Sequence, residues 1–162
     1  MLFRSRMLKQ YADSEDMISR VEQRIEAMAE QSPDIQRLQK IPGIGIMTAT
    51  AIAAAIPDKS EFKNGRHLAA WIGLVPKHSG TGGKTRILGM SKRGNPYLRR
   101  LFIQGASTVL IWASRKSDKV SQWVSQLKQK KGSNKAKVAL ANKTARIVYA
   151  VFCKGIDYRL AA

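Results

Sequence analysis

Two hydroxyls, Ser79 and Thr81, sit in the stretch HSGTGGKTR, with Lys84 and Arg86 just beyond them. A hydroxyl is a weak nucleophile. To attack a phosphodiester it needs a base or a metal for its proton, and cations or N–H groups to hold the charge that develops on the phosphoryl oxygens. Lys84, Arg86, Lys92 and Arg93 can meet the second need. The first is unmet nearby, because no aspartate or glutamate occurs from Phe62 to Ser117. His78 adjoins Ser79 as a base or, more simply, as a surface imidazole. On residue chemistry alone Ser79 is an ordinary loop serine, and the loop reads as a phosphate clamp without catalysis.

Two further stretches point to anions. In SKRGNPYLRR, Asn95 and Pro96 pair an N-cap with a first-turn proline, so Lys92, Arg93 and Gly94 precede a helix start and Arg99 and Arg100 lie one turn in. Cations, backbone donors and the helix dipole then converge on one site, unless this is only a solvated basic helix start. In IPGIG, residues 41–45, glycines let successive N–H groups point outward together and hold a phosphate without a charged side chain. Gly43, Ile44 and Gly45 would donate while Ile41, Ile44 and Ile46 anchor the turn. The pentad resembles a helix-hairpin-helix motif, which holds the DNA backbone without reading bases. A tight turn of purely structural purpose is the alternative.

The elements that must position these groups read as helices. Met7, Tyr11, Ser14, Ile18, Val21, Ile25 and Met28 alternate steps of four and three, the seam of a coiled coil or helical hairpin, so the first 31 residues read as one long helix. Ser32-Pro33 starts a short helix, Pro42-Gly43 turns the chain, and Ile46–Ile56 is a further helix closed by Pro57. Ser60 is expected to cap another, and GRHLAAWIGL to stay helical up to Gly73. After the glycine-rich loop, helices are expected from Asn95, over 118–130 and over 133–154, separated by Gly132 and ended by Gly155. The fold class is all-α, with a short hairpin possible in the loop, divided into a coiled-coil-like helix over 1–32 and a helical domain over 33–162. Trp71, Trp112 and Trp123 lie in apolar helical register and are expected in the core rather than stacked on bases.

The 162 residues are 44% hydrophobic, enough for a core, and carry a net charge of +18. Residues 1–61 hold 8 basic and 9 acidic side chains; residues 62–162 hold 21 and 2. A field of that sign over one part of the chain draws DNA or RNA. No stretch approaches the ~20 apolar residues that span a bilayer, and no secretory pattern starts the chain, so no membrane role is expected. One cysteine, Cys153, and two histidines give neither a disulfide nor a zinc spacing. A reducing cytoplasm is the expected compartment, with Cys153 a small buried hydrophobe.

From Ile41 to Leu110 the ordered blocks IPGIG, FKNGRHLAAWIGLVP and SGTGGKTRILGMSKRGNPYLRRLFIQGASTVL resemble the C-terminal domain of the "one-ten" family of bacterial insertion-sequence transposases, especially its "eleven-eleven" subgroup. The resemblance implies DNA transposition by a composite site. In that arrangement an N-terminal RuvC-like domain with a metal-binding acidic tetrad is joined through a coiled coil to this C-terminal domain, which supplies a serine nucleophile. It also implies a guide-type non-coding RNA as partner. Ser79 matches the family's loop serine, and Thr81 is the alternative, since spacing counted back from Lys84 falls on Gly80 or Thr81. A divalent metal such as magnesium is expected only with the acidic domain, and none in this chain. Because the chain opens directly on its heptad helix, it reads as the coiled-coil and C-terminal part of a transposase, a remnant or one half of a split gene, inactive alone and oligomeric through its first helix. The rival readings are a non-catalytic helix-hairpin-helix nucleic-acid-binding module and a basic helical protein associated with RNA.

Overall fold

The structure, a computed structural model, describes residues 2–81 and 84–159. Its elements run α1 (Leu2–Glu30), α2 (Pro33–Gln39), α3 (Ile46–Ala55), α4 (Gly65–Ile72), β1 (Pro76–Thr81), β2 (Lys84–Met90), α5 (Pro96–Trp112), α6 (Lys119–Lys131) and α7 (Ser133–Val148). The all-α class stands, and the glycine-rich loop forms the one antiparallel hairpin among the described residues. Side-chain caps fix most helix starts. The Ser32 hydroxyl accepts from the Ile35 N–H, the Asn64 amide oxygen from His67, and Asn95 Oδ1 from both Tyr97 and Leu98. Each satisfies a donor that the helix itself cannot. The helix expected from Ser60 is a single 3-10 turn, Lys59–Glu61, capped by Asp58. Pro57 on one side and the Asn64 cap on the other leave no room for more.

Helix α7 sits at the centre, packed against α4, α5 and α6. Ala136, Ala141 and Ala145 are wholly buried on it and let its neighbours approach closely. A Cβ at Gly65, where α4 begins, would stand 3.0 Å from the Arg146 Cα. Phe102, Leu98, Leu38, Ile52, Leu68, Ile72, Leu74, Val124 and Val148 fill the interior. The end of α7 widens into a π turn, Tyr149–Cys153, tied down where the Tyr149 hydroxyl donates to the Lys63 carbonyl at 3.0 Å.

Trp71 and Trp123 are half-buried and pack on this core, Trp71 edge-on to Phe62. Trp112 departs from expectation. It is 49% exposed at the last turn of α5, with the Arg115 guanidinium 4.7 Å from its ring centroid. Cys153 is half-buried, and that burial pushes its thiol above the usual range. Only the last turns of α1 join the body, through Ala29, which is buried, and Ile25, which is half-buried. Met7, Tyr11, Ile18, Val21 and Met28 of the heptad stripe stay exposed. Among the described residues no helix is long and apolar enough to cross a membrane.

Candidate nucleic-acid interface

The α2–α3 turn is an apolar anchor beneath an open helix start. Ile41 and Ile44 are buried, and the Ile44 N–H donates to the Ile41 carbonyl at 3.0 Å. Ile44 therefore has no amide left for a phosphate, which corrects the expected three-residue nest. Gly43 adopts φ 84°, and a Cβ there would stand 2.9 Å from the Gly105 carbonyl oxygen. This glycine is required where the turn meets α5. Gly45 differs. It is the N-cap of α3, exposed, with extended backbone, no side-chain cap and open space where a Cβ would go. The first-turn N–H groups of a helix have no intrahelical acceptor, and a Gly cap leaves them to solvent or a ligand. They border a shallow groove of about 530 Å³ that Lys40, Gln104, Thr108 and Lys116 also line. Lys40 and Lys116 were not singled out from the sequence, because only the fold brings them to IPGIG.

The hairpin carries the hydroxyl candidates. Ser79 pairs with Arg86 and Thr81 with Lys84, while His78 pairs with Ile87. Directly opposed residues in an antiparallel pair share a face, and neighbours along a strand alternate faces. Ser79, Arg86 and Lys84 thus lie on one face and His78 on the other. Ser79, Lys84 and Arg86 are all exposed. Neither strand packs extensively against a helix, so the hairpin is an arm.

The base of that arm is clasped. Gly73, left-handed at φ 82°, ends α4, and Gly94 turns into α5 at φ 108°. A Cβ on Gly73 would stand 2.0 Å from the Arg93 carbonyl oxygen, and one on Gly94 would stand 1.8 Å from that of Trp71. Only glycine permits backbones this close. The Ser91 N–H donates to the Val75 carbonyl at 2.8 Å and its hydroxyl to that of Gly73 at 3.3 Å. Arg99 donates from its guanidinium to the Ile72 carbonyl at 3.1 Å, neutralising the C-terminal end of α4. Gly94 and Arg99 thus have structural partners in the clasp. Lys92, Arg93 and Arg100 are exposed around it, and Lys92 takes φ 55°, the one left-handed non-glycine among the described residues. Asn95 already occupies two N–H groups at the start of α5, so fewer donors remain there than the sequence implied.

Residues 35–122 match the model of the transposase IS116/IS110/IS902 family. The chain belongs to this family. It is 42% identical to the transposase for insertion sequence element IS1111A of Coxiella burnetii, over 91% of this chain and 41% of that protein. A probable family 20 transposase of Pseudomonas aeruginosa is 43% identical over 90% of this chain and 43% of its own length. The transposase for insertion sequence element IS1328 of Yersinia enterocolitica is 34% identical over 93% and 45%. The chain thus spans less than half the length of these relatives. Of the transposase blocks recognised in the sequence, GLVP, GMSKRGN and YLRR meet in the clasp, at the end of α4, the exit from β2 and the start of α5; IPGIG is the α2–α3 turn, and Gly82 and Gly83 of GGK lie outside the described residues.

Among the described residues no cluster of three His, Cys, Asp or Glu side chains could hold a metal ion. The stretch from Phe62 to Ser117 that carries Ser79 has no carboxylate, so it supplies no such ligand for a divalent cation.

Proposed function

We propose that this chain is the part of an insertion-sequence transposase that grips DNA through its phosphate backbone. The single observation that carries this is the uncapped N-terminus of α3, anchored by buried isoleucines and bordered by Lys40 and Lys116. Phosphate contacts of this kind position a duplex without reading its sequence. Gly45 with the N–H groups after it, Lys40 and Lys116 form the grip. Lys84, Arg86, Lys92, Arg93 and Arg100 extend it along the hairpin arm. The long helix to residue 32 serves as a separate arm for association. A guide-type RNA shares the cationic surface of the 33–162 domain.

Ser79 is the candidate nucleophile. Arg86 and Lys84 on its face would stabilise charge on an attacked phosphate, and the base or metal that activates the hydroxyl comes from outside this chain. The absence of any acidic residue from Phe62 to Ser117 favours a second reading, in which the arm only clamps phosphate. Recombination of donor DNA by a full-length protein containing this segment separates the two. Ser79→Ala is expected to reduce it to background and leave DNA affinity intact, whereas Thr81→Ala retains activity. If both variants recombine normally, the clamp reading holds.

DNA binding itself is tested by duplex affinity against salt. Log affinity falls by about 0.9 per log salt for each phosphate neutralised. Lys40→Ala and Lys116→Ala are each expected to lower that slope by about this amount; unchanged slopes would remove both lysines from the grip.

A further inference from the structure

A second groove, of about 1760 Å³, runs between β2, α6, α7 and the C-terminal segment. Its walls are largely apolar, with Leu88, Val120, Val138, Ile147 and Val151 among them. Six cations also line it, Arg66, Lys119, Lys135, Lys143, Arg146 and Arg159, against one carboxylate, Asp157. Nucleic-acid surfaces are more polar than this. An apolar trough bordered by cations suits an amphipathic helix with acidic flanks.

The chain carries such a helix. Along α1, Tyr11, Ile18 and Val21 are 67%, 52% and 51% exposed, and Leu8 and Met17 widen the stripe. Between Tyr11 and Met28 there are five carboxylates and two arginines. That span is about 26 Å of helix, and the groove wall made by α7 and the π turn after it, from Asn134 to Ala150, is about 24 Å.

Pairing α1 with itself satisfies this helix poorly. With Tyr11 and Ile18 at a positions and Val21 at d, Glu15 and Glu22 fall at e, whereas the g positions are Gln10, Met17 and Arg24. A parallel pair sets both glutamates opposite uncharged residues, and an antiparallel pair sets them opposite each other. Ser14 interrupts the d positions, and Ala29 is already buried in its own domain.

We propose that α1 of a second copy of this chain lies in the groove, its Tyr11–Val21 stripe on the apolar wall and Glu15 and Glu22 among the cations. Reciprocal exchange closes a two-fold dimer with two such contacts. The inference rests on α1 as the association arm and is independent of DNA binding.

Sedimentation equilibrium of the nuclease-treated chain at low and high salt tests it, with circular dichroism confirming that each variant is folded. The wild type is expected to dimerise. Lys135→Glu with Arg146→Glu is expected to weaken the dimer roughly tenfold or more, and Glu15→Lys with Glu22→Lys likewise; all four together restore it. A monomeric wild type, or failure of the fourfold variant to recover, overturns the proposal. So does a dimer that ignores the groove reversal yet is lost in Ile18→Asp, which would make it an α1 coiled coil. If the groove reversal leaves the mass unchanged but lowers affinity for a single-stranded oligonucleotide, the groove belongs to nucleic acid and the proposal is again overturned.

Discussion

Gly43 and Gly105 meet backbone to backbone: a Cβ on Gly105 would stand 1.9 Å from the Gly43 carbonyl oxygen. Gly105→Ala must push the α2–α3 turn off α5, at a cost of about 1–3 kcal/mol by chemical denaturation. Gly45→Ala, at a cap with free space, is expected to shift stability by only a few tenths of a kcal/mol. Two glycines of one pentad thus do different work, one permitting contact and one leaving a helix start open. The pentad was legible as a turn, but its division of labour was not, because the neighbour that constrains Gly43 lies about sixty residues further on. The same holds for Gly94 and Arg99, whose clasp partners Trp71 and Ile72 are distant in the chain. The caps Ser32 and Asn95 were legible because their donors lie within three residues.

The hairpin and its clasp are a single device. Isolated two-stranded hairpins are marginal in water, and this one is fixed at its base rather than along its length. Amides of β1 and β2 are therefore expected to exchange with deuterium far faster than those of α5 and α7, and Arg99→Ala to speed them further while the buried helices stay protected. Uniform protection across the arm would contradict this. Helix α6 offers a separate check. The Ser121 hydroxyl, 2.6 Å from Asp118, and the backbone N–H groups of Ser121 and Val120 hold the Asp118 carboxyl below its ordinary value of 3.8. A depressed carboxylate stabilises the fold above its unfolded pKa and loses that contribution as pH falls through its folded one. Asp118→Ala is expected to cost about 1 kcal/mol at neutral pH and progressively less below pH 3.8. The loop announced an irregular functional segment by its glycines, and its hairpin form was only half visible, because strand pairing there depends on a base that the sequence does not display.

At the scale of the whole molecule the charge division seen in the sequence has a physical counterpart. The near-neutral first third supplies the free helix, the α2–α3 anchor and most of the groove beside it, and the cationic remainder supplies the arm, the clasp and the second groove. Family membership was legible from ordered blocks, several of which form the clasp, where Gly73 and Gly94 leave no room for a Cβ. The partnerships of Lys40, Lys116 and the α7 cations were not, since surface positions from separate helices meet only after folding. The central claim is that the open start of α3 holds a DNA phosphate, and Gly45→Asp tests it most directly. An aspartate there caps α3 and favours its dipole, so thermal stability should rise by a few tenths to about 1 kcal/mol. The same carboxylate occupies and repels the phosphate site. The account predicts a folded, slightly more stable protein whose duplex affinity falls and whose salt slope drops by about 0.9. A stable Gly45→Asp protein that binds duplex DNA with unchanged affinity and slope would contradict it.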